Sequence, residues 1–74
     1  MTLDEGIAQI EKTISEVSAT AEVKTVKMSD EEARLSVYAP VGEMDAIQNA
    51  TLMPTIELLN SDGLDIQVFV YEKG

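Results

Sequence analysis

Seventy-four residues, 45% hydrophobic and 26% charged, make a single small domain over 1–74. Its core is modest, because a chain this short buries only about 60% of the surface its unfolded form exposes. Cysteine and histidine are both absent, which excludes a disulfide framework, a thiolate nucleophile, a zinc finger and the commonest general base, while a net charge of −9 repels nucleic acid and anionic membranes at long range and suits a basic partner.

The opening MTLDEGIAQI carries acids where a signal peptide needs lysines, and no apolar run reaches membrane-spanning length. A cytoplasmic module is the expectation. Leu3, Ile7, Ile10, Ile14 and Val17 then recur at helical spacing, which predicts a helix over 3–17 with one apolar stripe. Thr2 and Glu5 read as a capping box at its start, with Asp4 and Glu5 placed against the positive end of the dipole. Gly6 weakens that first turn.

A hairpin follows over 21–41. Val23, Thr25, Val26 and Met28 supply one strand; Ala33, Leu35, Val37, Ala39 and Val41 supply the next; Ser29 to Glu32 make the turn. The second strand alternates cleanly, with Arg34, Ser36 and Tyr38 on its other face. The first does not, which leaves room for a bulge or a two-sided strand. Pro40 and Gly42 close the hairpin, and a helical region runs over about 43–60.

Pro54 argues that this region is two short helices rather than one kinked helix. Met44 and Ile47 are the expected anchors of the first piece, and Ile56 and Leu59, with Leu52 nearby, those of the second. Asn60 to Gly63 is a helix stop. Leu64 to Glu72 forms the last strand: Leu64, Ile66, Val68 and Val70 face one way, and Asp65, Gln67, Phe69, Tyr71 and Lys73 the other. The order α-β-β-α(-α)-β predicts an α+β fold, a two-layer sandwich whose three-stranded sheet carries its helices on one face.

All the aromatic residues of the chain, Tyr38, Phe69 and Tyr71, fall by strand parity on the face away from the helices. Three exposed rings present roughly 450–750 Å², against about 300–600 Å² for the largest apolar patch of a typical monomer. Val26 and Met28 join them if Val23 points inward. Either part of the same chain folds over this face, or the tyrosines lie flat with hydroxyls in water, or the face docks something. A homodimer is the favoured occupant, since pairing also remedies a small core.

Stacked aromatics on a small sheet also serve RNA-binding modules. Here Lys24, Arg34 and Lys73 are offset by Glu22, Glu32 and Asp65, and a nucleic-acid groove needs a positive excess. The alternative function is an acidic inhibitor or nucleic-acid mimic that meets a basic protein through Asp4, Glu11, Glu16, Glu43, Asp45 and Glu57. No cofactor, metal site or catalytic residue is expected. Asn60, Asp62, Gly63 and Asp65 lack the ligand order of a calcium loop. Asp30, Glu31 and Glu32 read as a solvated turn, and Gly42-Glu43-Met44-Asp45 is too acidic to cradle phosphate. The element order resembles that of KH-type and iron–sulfur scaffold domains, but the glycine loop and cysteine pair that give those groups their functions are missing. The expectation is a non-enzymatic interaction module.

Overall fold

The computed structural model describes residues 1–73. The elements are α1 (Leu3–Val17), β1 (Glu22–Lys27), β2 (Glu32–Ala39), α2 (Val41–Asp62) and β3 (Asp65–Glu72). The fold is the expected α+β sandwich: both helices cover one face of a three-stranded sheet in the order β1-β2-β3. The β1–β2 pair is antiparallel and the β2–β3 pair parallel, as a return through a helix permits.

α1 forms because its stripe and its cap agree. The Thr2 hydroxyl accepts from the Glu5 N–H at 3.2 Å, and the Glu5 carboxylate accepts from the Thr2 N–H at 2.8 Å, so two otherwise orphaned donors are satisfied. Leu3, Ile7, Ile10 and Ile14 are buried, and Val17 packs half-buried beside them. Gly6 has a packing role that its weak propensity conceals. A Cβ there would sit 3.0 Å from Ile66 Cδ1 and 3.2 Å from Leu64 Cδ1, so glycine lets α1 approach the base of β3.

The sheet supplies the rest of the core. Ala33, Leu35, Val37 and Ala39 of β2 are fully buried beneath the helices, and Ile66 of β3 nearly so. β1 pairs residue for residue with β2 from Glu22↔Tyr38 to Lys27↔Ala33, so it holds no bulge. Val23, Thr25 and Lys27 share the helix side, while Glu22, Lys24 and Val26 share the other. Met28 lies past the end of β1, where its N–H donates to the Glu32 carbonyl and closes the turn. Val41 is not in β2: Pro40, lacking an N–H, ends the ladder and opens α2 instead.

α2 corrects the sequence reading most. It is one helix of 22 residues that runs through Pro54, not two short ones. Proline at 54 removes the bond to the Ala50 carbonyl and crowds that oxygen, but the turns on either side are held by a common core. Ile47 and Thr51 before the proline and Leu58 after it are all buried. Three turns of helix separate Ile47 from Leu58, so both meet the same layer, and tertiary packing outweighs the local penalty. The expected anchors Leu52, Ile56 and Leu59 are exposed; Leu58 takes their place inside. Gly63 stops the helix at φ 68°, its N–H donating to the Leu59 carbonyl while that of Leu64 donates to Leu58.

Candidate functional site

β2 and β3 carry the open face because strand side chains alternate. Across the sheet the rows run Glu22–Tyr38–Tyr71, Lys24–Ser36–Phe69 and Val26–Arg34–Gln67, with Glu32 beside Asp65 at the end. Tyr38, Phe69 and Tyr71 therefore sit together on the face opposite the helices. Phe69 is 39% and Tyr71 47% exposed, and Val26 and Met28 are more exposed still. Tyr38, on the central strand, is half-buried.

The rings are organised rather than scattered. Tyr38 and Tyr71 stack with centroids 5.5 Å apart and planes inclined by 27°, within the range where an offset pair gains about 0.5–1.5 kcal/mol beyond its buried area. The Lys24 ammonium lies 5.7 Å from the Tyr38 centroid, and the Arg34 guanidinium 5.5 Å from that of Phe69. Each cation faces the negative side of a ring and spreads its aliphatic stem over apolar surface. The Lys73 ammonium reaches the Glu22 carboxylate at 3.5 Å and the Thr20 carbonyl at 3.0 Å, tying the far ends of β1 and β3 across the same face.

Electrically this face differs from the rest of the molecule. Lys24, Arg34 and Lys73 balance Glu22, Glu32 and Asp65, so the whole net charge of −9 resides elsewhere. The face is apolar at its centre, carries both signs at its rim, and is neutral in sum.

The acidic residues of the helical side are less available than their count suggests. Asp4 pairs with Lys27, Glu11 accepts from the Thr25 hydroxyl at 3.1 Å, and Glu43 accepts from the buried Ser18 hydroxyl at 3.1 Å. Among the described residues no group of three acids is placed to hold a metal ion, and no helix is long and apolar enough to cross a membrane.

Sequence reasoning missed a second apolar surface, the outer flank of α2, where Leu52, Met53, Ile56 and Leu59 are exposed. The available signal was the neighbouring pair Leu58-Leu59 in a helix apolar around its circumference, since adjacent residues cannot both point inward. Comparison with protein-family models, with curated proteins and with solved structures gave no match.

Proposed function

We propose that this chain is a non-enzymatic interaction and assembly module, at work in the cytoplasm, that self-associates through the open face of its sheet. The observation that carries this reading is the coincidence of every aromatic side chain with a sheet face whose charges cancel. Two copies of a chain with a net charge of −9 repel each other wherever their acids meet. Face to face on the sheet they do not, and a two-fold pairing offers the cations of one rim to the carboxylates of the other.

Tyr38, Phe69 and Tyr71 form the contact, with Val26 and Met28 along its edge. Three strands, two of eight residues and one of six, span at most roughly 14 by 26 Å. This is small beside the ~800 Å² per partner of a stable interface, so the contact is of the weak, reversible kind.

Replacing both Phe69 and Tyr71 with serine is expected to lower the sedimenting mass, while raising the salt concentration leaves the wild-type mass unchanged. A wild type that is monomeric at every concentration refutes the reading. So does a double variant that sediments like the wild type. A basic partner captured through the acidic helical side would show the opposite salt response, with binding weakening steeply as salt rises.

A further inference from the structure

Two features outside the sheet face point to the same side of the molecule. The first is the free edge of β3. Both β1 and β3 are edge strands, but β1 is guarded by Glu22, Lys24 and Lys27, as natural edges usually are. In β3 the six residues Ile66 to Tyr71 carry no charge at all. The Asp65 and Lys73 N–H groups donate to carbonyls of Glu31 and Ala39. By alternation, the backbone groups of Ile66, Val68, Val70 and Glu72 point away from the sheet with no strand to meet them.

The second feature is the α2 flank. At about 100° per residue, with Leu58 marking the core, Glu43 lies about 60° to one side, and Val41, Leu52 and Leu59 about 100–120° to the other. Glu43 touches Ser18 at the end of α1, so the apolar flank is turned away from α1. α1 is linked to β1 through Asp4–Lys27 and Glu11–Thr25, whereas α2 packs over β3. The exposed stripe therefore overhangs the unguarded edge. Between Ala46 and Ser61 α2 carries a single charge, Glu57, which lies on the α1 side.

From this we infer that a second copy of the chain adds along β3, antiparallel and about a two-fold axis, giving a continuous six-stranded sheet with the two α2 flanks packed above the seam. A bare peptide strand would satisfy the edge but leave Leu52, Ile56 and Leu59 uncovered. A partner that satisfies both must offer a strand edge with an apolar helix over it at the same spacing, and this chain does.

Parity narrows the register. Helices on the same side require residues of like parity to face each other, because only then do matching faces align. Centred on Phe69, the pairing sets Asp65 of each copy opposite Lys73 of the other, two opposite-charge pairs that form when the Lys73 ammonium swings from Glu22 and Thr20 to the β3 side. Centred on Val68, it sets Asp65 opposite Tyr71. The first register is the one charge favours. Such a dimer also doubles the open aromatic face, bringing it closer to the area a lasting contact needs. The inference stands independently of how that face is used.

Amide hydrogen exchange on the full chain, above and below its association midpoint, tests it. The Ile66, Val68 and Val70 amides are expected to become protected only in the associated form. Leu52→Glu places a charge at a site that is solvated in a single copy. It is expected to leave the circular dichroism unchanged, remove that protection and weaken association by at least about tenfold. Free exchange at these three amides in the oligomer overturns the inference, as do equal protection in dilute solution and a Leu52→Glu variant that associates like the wild type. Pairing through the sheet face alone leaves these three amides exchanging freely in the oligomer; because Phe69 faces its own copy across the seam in the favoured register, it is the exchange pattern and Leu52→Glu, not the serine substitutions, that separate the two contacts.

Discussion

Replacing Pro54 with alanine puts the continuity of α2 to the test. In the wild type the Ala50 carbonyl lacks its helical donor, because residue 54 has no N–H, and the ring crowds that carbonyl. Alanine restores one backbone hydrogen bond, worth about 1 kcal/mol net. It also relieves the steric part of a proline penalty that reaches ~3 kcal/mol in a straight helix interior. The Thr51 hydroxyl, bonded to the Ile47 carbonyl at 2.9 Å, and that of Thr55, bonded to the Thr51 carbonyl at 2.8 Å, are unaffected by the change.

A gain of about 2 kcal/mol is therefore expected, which for a domain of this size raises the melting temperature by roughly 8–16 °C. The assay is urea unfolding followed by circular dichroism at one protein concentration, so that association does not shift the midpoint. The midpoint should rise with the slope unchanged. A midpoint that stays put or falls would refute the single-helix account, because a proline in the first turn of a separate helix costs nothing there and its removal gains nothing.

Gly6→Ala should act in the opposite direction. Alanine ordinarily stabilises a helix interior by ~1 kcal/mol, but its methyl here meets Ile66 and Leu64 within 3.2 Å. Overpacking of about 1–3 kcal/mol wins, and thermal melting should show a loss near 1 kcal/mol. The Glu5 carboxyl is held below its ordinary pKa, first by the Thr2 backbone N–H and then by the Thr2 side chain. A lowered folded pKa adds stability that is complete above the unfolded value and is lost as pH falls through the folded one. The stability difference between wild type and Glu5→Gln should accordingly be constant from neutral pH down to about 5 and close below it. A difference that persists in acid would show that the carboxylate's charge has no part in the cap.

Much of this molecule is legible in its residues because the relevant physics is local. The 3.6-residue period of Leu3 to Ile14 and the reciprocal Thr2–Glu5 bonds specify α1 without reference to anything else. The two-residue period of β2 and β3 places Tyr38, Phe69 and Tyr71 opposite Leu35 and Val37 however the strands are ordered. α2 is different. With Leu52, Met53, Ile56, Leu58 and Leu59 spread around its axis, periodicity gives it no direction, and only the positions of α1 and β3 decide that Leu58 goes inside and Leu59 stays out. The same neighbours keep the helix continuous through Pro54, where the residue type alone argued for a break. The role of Gly6 and the bare outer edge of β3 also belong to the assembled fold, since a close approach and a missing neighbour are relations between segments distant in the chain.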